Sequence, residues 1–469
     1  YSAFYASIYL LALVGGVIAD RSKKYKATIV TGLVVMALGY VLIAIPTPTP
    51  VPNLPLYLTL TCVGLGVIAF GNGLFKGNLQ VLIGQMYDNP LYQSARDAGF
   101  QIFYMFINIG GIFAPFMAVG IRNWWLSHNG FDYSAELPAL CHQYLREGDK
   151  MPQQALENLQ SLMGKVSGGQ TFASLNDFVN QYLEVFSRGF HYAFIAAVVM
   201  ICVSMVIFLV NQKKFPDPSK KEVATNGAVA GKEEVQMSAA EIKQRIYALF
   251  AVFGVVIFFW MSFHQNGYSL TYFARDYVDL SVIKIDLGFT QIKGAEIFQS
   301  VNPMIVVFLT PVVMYVFGRL RAKGKEPSAP RKIAIGMGIA ALAYVFLMVC
   351  SLGLPEQSTL GSMSEAAKHD MLLTPWVMVG MYFILTMAEL FISPLGLSFV
   401  SKVAPPHLQG VMQGAWLAAT ALGNSLLFIG GVLYTSVPLW ACWLVFVGAC
   451  AASMITMLAM VKWLERVAK

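Results

Sequence analysis

Charge is scarce in this sequence of 469 residues, since only 12% are Asp, Glu, Lys or Arg while 57% are hydrophobic. A soluble domain carries about 25% charged residues, so this chain has too few to cover a water-facing surface. Its six cysteines are scattered without metal-ligand spacing, and we predict neither a disulfide framework nor a metal site. We find no nucleophile–base pair and no phosphate-binding loop, which argues against an enzyme, and we predict no cofactor.

Long apolar runs recur instead from one end of the chain to the other. A transmembrane helix needs about 20 mostly apolar residues, and eleven stretches of suitable length can be placed here. These predicted spans cover residues 3–19, 27–45, 54–75, 98–121, 189–210, 246–274, 295–317, 333–354, 374–400, 411–434 and 438–461. We therefore expect an all-α integral membrane protein embedded in a lipid bilayer.

The net charge of +7 is concentrated in alternate segments between the spans. Lys and Arg number four in Asp20–Lys26, seven in 211–245, six in Gly318–Lys332 and three after Val461. The loops 46–53 and 435–437 carry none. Because cytoplasmic loops are enriched in Lys and Arg, these counts place the basic segments in the cytoplasm, and we predict no nucleic-acid partner.

Two polar segments divide the chain. Residues 211–245 are typical of a cytoplasmic linker between two halves, and residues 122–188 form a long insertion on the outer side. We interpret the insertion as a small extracellular or periplasmic cap with helices near Met151–Val166 and Phe172–Phe186; the alternative is a substrate-binding role. The predicted units are the first part of an N-terminal bundle (1–121), the insertion (122–188), the last helix of that bundle (189–210), the linker (211–245) and a C-terminal bundle (246–469).

A short motif closes the first predicted span. Gly15–Arg21 resembles the signature that major facilitators carry in the loop after their second helix. Small residues such as Gly16 allow close helix approach, and Asp20, followed by Arg21, can pair with basic groups or a helix end as bundles move. The resemblance implies two six-helix bundles, so we expect one further N-terminal helix before the eleven visible spans.

A more specific motif lies in the fourth predicted span. Phe103–Gly111 resembles the F-Y-x-x-I-N-x-G signature of the proton-dependent oligopeptide transporter family of major facilitators. Tyr104 and Asn108 are four residues apart and share one helix face, which lines the central cavity in that family. The alternative is a polar pair that only joins membrane helices.

Two ionisable residues lie within or at the end of apolar spans, where charge is costly and marks transport pathways. Lys76 stands in a run similar to one in the family, although Gly77 replaces the proline of that run. A snorkelling interfacial lysine is the alternative. Glu389 lies fifteen residues into an otherwise uncharged span that resembles the family's tenth helix; the alternative is a structural carboxyl group that stays protonated.

Further matches carry the resemblance along the second half. Phe259–Leu270 is similar to the family's seventh helix, but His264 stands where many members have an acidic residue linked to proton coupling. Histidine titrates near neutral pH, so it can replace the acidic residue in proton coupling. The alternative is a neutral, hydrogen-bonding histidine. Both interpretations are equally compatible with the sequence. Asn302 precedes Pro303 as in the family's eighth helix, and Trp416 lies in the matching run Gln413–Asn424.

The resemblance implies a secondary transporter that imports di- and tripeptides with protons by alternating access, in a cell membrane and by preference the bacterial inner membrane. A zwitterionic peptide needs a cation for its carboxylate and an anion for its amino group, which Lys76 and Glu389 can supply from opposite halves. The predicted substrate-binding residues are Tyr9, Lys76, Tyr104, Asn108, Gln265, Asn302, Glu389 and Trp416. The predicted proton-coupling residues are Lys76, His264 and Glu389, and the predicted conformational motif is Gly16, Asp20 and Arg21.

Two other functions remain open on this reasoning. One fold hosts many substrates, so a related facilitator that carries nitrate, a drug or another metabolite is one alternative. A peptide sensor that binds its ligand without transporting it is the other.

Overall fold

Helices make up nearly all of the computed structural model, which describes residues 2–49, 51–89, 91–134, 137–216, 237–280, 285–286, 291–292, 297–363 and 365–468. The first half contains α1 (Ser2–Ser22), α2 (Tyr25–Ala44), α3 (Leu54–Met86), α4 (Arg96–His128), α5 (Leu137–Glu147), α6 (Gln153–Val166) and α7 (Leu175–Asn211). The second half contains α8 (Ala239–Phe263), α9 (Ser269–Tyr277), α10 (Ile297–Ala322), α11 (Ala329–Cys350), α12 (Glu365–Met371), α13 (Trp376–Val403), α14 (Gln409–Ser425), α15 (Phe428–Ser436) and α16 (Leu439–Val467).

Among the described residues, one small strand pair accompanies the helices. β1 (Ile285–Asp286) and β2 (Gln291–Ile292) are antiparallel, with Ile285 opposite Ile292. Short 3₁₀ helices cover Gln93–Ala95, Gly148–Lys150, Gln212–Lys214, His264–Gly267, Gln357–Ser362 and Pro406–Leu408.

The membrane-spanning character follows from helix length and from the surface. Over the described part of the chain, ten helical segments are long and apolar enough to cross a membrane, and they coincide with ten of the eleven predicted spans. The first predicted span forms the helix α1 but is not among those ten. Large apolar side chains such as Leu38, Leu58 and Phe308 are more than half exposed, as expected of a surface that lipid covers. The protein is a multi-pass membrane protein.

Several helices continue well past the apolar runs that predicted them. α4 extends to His128 and α7 begins at Leu175, so the predicted boundaries at 121 and 188 fall inside helices. Hydropathy marks only the segment that lipid surrounds, and it cannot show that a helix continues into a polar region. Most of the predicted linker, residues 217–236, lies outside the described residues.

The insertion forms a helical cap with its own hydrophobic core. α5 and α6 pack with the adjoining ends of α4 and α7 around buried side chains that include Phe131, Phe178 and Tyr182. Cys141 belongs to this core, and burial raises the pKa of its thiol to about 12. The cap is therefore a packed unit and not a loose loop.

The two halves approach each other closely where α1 meets α14. A Cβ atom at Gly16 would lie 2.3 Å from the carbonyl oxygen of Gly410, so only glycine fits there. The Asp20 carboxylate accepts hydrogen bonds from the backbone N–H groups of Gly410 (2.9 Å) and Val411 (2.8 Å). These N–H groups open α14 and have no partner inside their own helix. Arg21 of the same motif is exposed.

A second contact between the halves lies at the same end of the bundle, next to the basic loops. The ammonium of Lys332 is 2.9 Å from Asp97 Oδ2 and 2.7 Å from Glu326 Oε1, and its side chain is 1% exposed. The Ser398 hydroxyl donates to Asp97 at 2.6 Å. We refer to Asp97, Glu326, Lys332 and Ser398 as the cytoplasmic cluster, after the predicted location of the neighbouring basic loops.

The charges of this cluster stabilise one another. Burial acts to raise the pKa of Glu326, but hydrogen bonds from Arg321 and Lys332, together with their positive charges, hold that pKa below its ordinary value. Glu326 is therefore ionised at neutral pH. Because Asp97 belongs to the first half and the other three members to the second, the cluster holds the halves together at this end.

Candidate functional site

A cavity of about 200 Å³ lies between the two halves. Its lining consists of Tyr9, Lys76, Gln80, Tyr104, Ile107, Trp260, His264, Glu389, Ser393, Leu397, Trp416, Leu417 and Thr420. These residues come from α1, α3 and α4 of the first half and from α8, the following 3₁₀ turn, α13 and α14 of the second. We refer to this space as the central cavity.

Glu389 joins the two halves at the cavity. Its carboxylate accepts a hydrogen bond from the hydroxyl of Tyr104 on α4, and a second from the Asn302 amide of α10 at 2.7 Å. The same amide donates to Thr386 at 2.8 Å. Glu389 is only 3% exposed, so these donors replace the water that the carboxylate would otherwise bind.

Lys76 brings a positive charge into the same cavity from the first half. Its ammonium lies 4.3 Å from the centre of the Tyr9 ring, within the range of a cation–π contact. A cation on α3 and a carboxylate on α13 therefore face one space. This arrangement suits a ligand that carries separated charges of both signs.

Aromatic side chains form much of the remaining wall. The rings of Trp260 and His264 are stacked, with centroids 4.9 Å apart and planes 22° apart. Trp416 occupies space that Gly396 leaves open, because a Cβ atom at that glycine would lie 2.1 Å from the indole. These rings give the cavity apolar surface beside its charged groups.

Six of the predicted site residues line the central cavity, namely Tyr9, Lys76, Tyr104, His264, Glu389 and Trp416. Three others do not. Asn108 donates to the backbone carbonyl of Tyr104 at 2.9 Å, and Asn302 lies behind Glu389. Gln265 bonds to backbone carbonyls of Met261 and Leu427 and accepts from Ser269. For all nine residues, the predicted role in substrate binding or proton coupling stays a prediction.

Several lining residues were missed in the sequence although a simple signal marks them. Each lies one helical turn from a predicted site residue and therefore on the same face. The pairs are Gln80 after Lys76, Trp260 before His264, Ser393 after Glu389 and Thr420 after Trp416. Extending each motif by one turn along its helix would have found these four side chains.

In the described part of the chain, ten segments long and apolar enough to cross a membrane are arranged in two halves around the central cavity, and this arrangement is the major facilitator fold. The family model described as the POT family matches residues 26–229 and 218–439, and the chain belongs to this family.

Curated relatives with similar sequences come from bacteria. The chain is 26% identical over 440 residues to the peptide transporter YePEPT of Yersinia enterocolitica subsp. palearctica, covering 90% of this chain and 76% of that protein. It is 27% identical over 448 residues to the dipeptide and tripeptide permease B of Edwardsiella piscicida, covering 93% and 79%. It is 26% identical over 442 residues to the dipeptide and tripeptide permease A of Salmonella typhimurium, covering 92% and 74%.

Solved structures share the fold. A POT family transporter in complex with 5-aminolevulinic acid superposes with a TM-score of 0.56 at 18% identity, over 100% of this chain and 87% of that one. A peptide transporter POT in complex with sulfate gives a TM-score of 0.55 at 21% identity, over 99% and 86%. The bacterial origin of the curated relatives agrees with a bacterial inner-membrane location.

Proposed function

We propose that this protein imports di- and tripeptides by proton symport, through alternating access of a central cavity. The observation that carries the proposal is the pairing of Lys76 and Glu389 in one cavity from opposite halves. Membership of the POT family and relatives named dipeptide and tripeptide permeases support the substrate class.

The chemistry of the cavity fits the common part of every short peptide. The Lys76 ammonium is suited to the peptide carboxylate, and the Glu389 carboxylate to the amino group. The aromatic side chains of Tyr9, Trp260 and Trp416 supply apolar surface for side chains of varied shape. A peptide that bridges the halves favours the closed arrangement, which alternating access requires.

Proton coupling is assigned to Lys76, His264 and Glu389. Glu389 accepts hydrogen bonds from Tyr104 of the first half and Asn302 of the second. Protonation of this carboxylate removes acceptor capacity and weakens the bond between the halves. His264, stacked on Trp260 in the same wall, is a second candidate proton carrier.

Uptake of labelled dialanine into proteoliposomes tests the proposal. We expect accumulation under an inward proton gradient, little without it, and inhibition by unlabelled di- and tripeptides. Free alanine, tetrapeptides and nitrate serve as competitors for specificity. No accumulation of dialanine together with gradient-driven uptake of labelled nitrate or another metabolite would favour another solute, and saturable binding of dialanine without flux would favour a sensor.

A further inference from the structure

Gln80 is a polar residue of the central cavity that the binding scheme above leaves without a role. It lies on α3, four residues after Lys76, so both side chains project from one helix face. Both line the central cavity. Four residues further along the same face, a Cβ atom at Gly84 would meet the Ser401 side chain of the other half. Gln80 therefore lies between the Lys76 charge and the cytoplasmic contact of the halves.

The amide of Gln80 holds an unused hydrogen-bond acceptor. Gln80 is only 2% exposed, and its Oε1 atom is buried without a hydrogen-bond partner among the described residues. A buried polar atom left in this state costs about 1–3 kcal/mol. Gln265, which does not line the cavity, differs in this respect, because its Oε1 atom accepts a hydrogen bond from the Ser269 hydroxyl at 2.8 Å.

Because the Gln80 side chain lines the central cavity, rotation of its amide can turn this sealed acceptor towards a ligand donor. A peptide carries one suited donor next to its carboxylate, the backbone N–H of its last residue, separated from the carboxylate by a single Cα atom. Side chains one helical turn apart can therefore meet both groups of that residue. The longer Lys76 side chain reaches the carboxylate, and Gln80 reaches the N–H group.

The geometry points to Gln80 as a specificity-determining residue that accepts a hydrogen bond from the last peptide N–H of the substrate while Lys76 holds the adjoining carboxylate. This inference rests on the proposed peptide transport. It adds recognition of the peptide bond itself, which the two charges alone do not provide. Compounds with the same charges but no N–H at that position should bind less tightly.

The test compares dialanine with alanyl-lactate, in which an ester oxygen replaces the peptide N–H. As competitors of labelled dialanine uptake by the full chain, we expect dialanine to be about threefold to tenfold more potent, the range of one net hydrogen bond. Leucine has a similar size to glutamine but no acceptor. In Gln80→Leu, the potency of dialanine should therefore fall until the two competitors are equally potent. Gln101→Leu is the matched control, because Gln101 is also 2% exposed and lies outside the cavity lining.

Each outcome decides the inference. Equal potency of the two competitors on the unmodified protein overturns it without any variant, so a folding failure of Gln80→Leu cannot protect it. Discrimination that persists in Gln80→Leu, or in Gln80→Ala if the leucine variant does not fold, also overturns it. If the unmodified protein shows no gradient-driven dialanine uptake, the proposed function fails instead.

Discussion

Glu389 is a cavity residue at which burial, charge and contact between the two halves combine. Its carboxylate is nearly inaccessible, receives donors from both halves and faces the same space as the Lys76 ammonium. A residue in this position can respond to a proton, to the substrate amino group and to the separation of the halves. Its role can therefore be separated from general folding by changing the charge alone.

We expect Glu389→Gln to lower gradient-driven dialanine uptake by at least about tenfold, a loss of about 1.4 kcal/mol in the coupled step. Glutamine keeps the size and one acceptor oxygen but cannot become anionic, so it binds the amino group weakly and does not titrate. Initial uptake rates in proteoliposomes measure the effect. Glu465→Gln is the control, because Glu465 bonds to Ser328 and Arg331 away from the cavity. Near-normal driven uptake by Glu389→Gln would remove Glu389 from the coupling scheme.

Some of these residues could be predicted because burial of charge in a membrane is costly and therefore rarely occurs without function. Lys76 and Glu389 are recognisable by that reasoning alone. The hydrogen bond between Asn302 and Glu389 could not be recognised in this way, because the two residues are 87 positions apart and no local pattern connects them. Gln80 is recognisable only through its position one helical turn after Lys76, because a glutamine in a helix carries no signal of its own.

The helices were predictable in position because lipid requires long apolar segments, whereas their ends and breaks were not. The predicted span 246–274 is divided into α8 and α9 by the 3₁₀ turn His264–Gly267. Side-chain bonds support this break: Gln265 donates to Met261 and Leu427 carbonyls, and Tyr382 donates to the Asn266 carbonyl at 2.9 Å. Leu427 and Tyr382 lie far along the chain from this turn, so tertiary packing fixes the break that positions His264.

The contact of α4 with α11 and α13 was also invisible in the sequence, because Asp97 and Lys332 are 235 residues apart. We expect Asp97→Asn to weaken closure at the cytoplasmic end and to lower uptake by at least about fivefold, a typical lower value for coupling between conformational states. Glu326 still neutralises Lys332 in this variant, so thermal unfolding in detergent should change little.

Glu184→Gln is the matched control for that prediction. Glu184 pairs with Arg188 at 2.6 Å within α7 of the first half. Its removal should leave uptake close to that of the unmodified protein. A normal uptake rate in Asp97→Asn, or an equal loss in both variants, would contradict a role of the cytoplasmic cluster in closing the transporter.

At the scale of the whole molecule, the described contacts between halves gather at the cytoplasmic end and at the central cavity. Asp20 binds the start of α14, Lys332 binds Asp97, and Tyr104 binds Glu389. The structure is therefore closed at the predicted cytoplasmic end. Because transport requires the halves to rock about the cavity, these contacts must break in each cycle before a substrate can leave on that side.

A crosslink across this end tests that requirement. A Cβ atom at Gly84 of α3 would lie 3.1 Å from the Cβ of Ser401 on α13, close to the roughly 3.5–4.5 Å of a disulfide. We expect the pair Gly84→Cys and Ser401→Cys to form a disulfide under mild oxidation and to lose nearly all dialanine uptake, with recovery on reduction. Peptide mapping by mass spectrometry confirms the bond, and the unmodified protein under the same oxidant controls for the native cysteines.

The matched control places a similar crosslink inside one half. A Cβ atom at Gly64 of α3 would lie 3.4 Å from the Cβ of Leu42 on α2, and both helices belong to the first half. If the halves move as bundles about the central cavity, the pair Leu42→Cys and Gly64→Cys leaves uptake intact while the pair across the halves abolishes it reversibly. Uptake that survives a mapped disulfide between positions 84 and 401 would mean that substrate leaves without opening of this end, which alternating access does not allow.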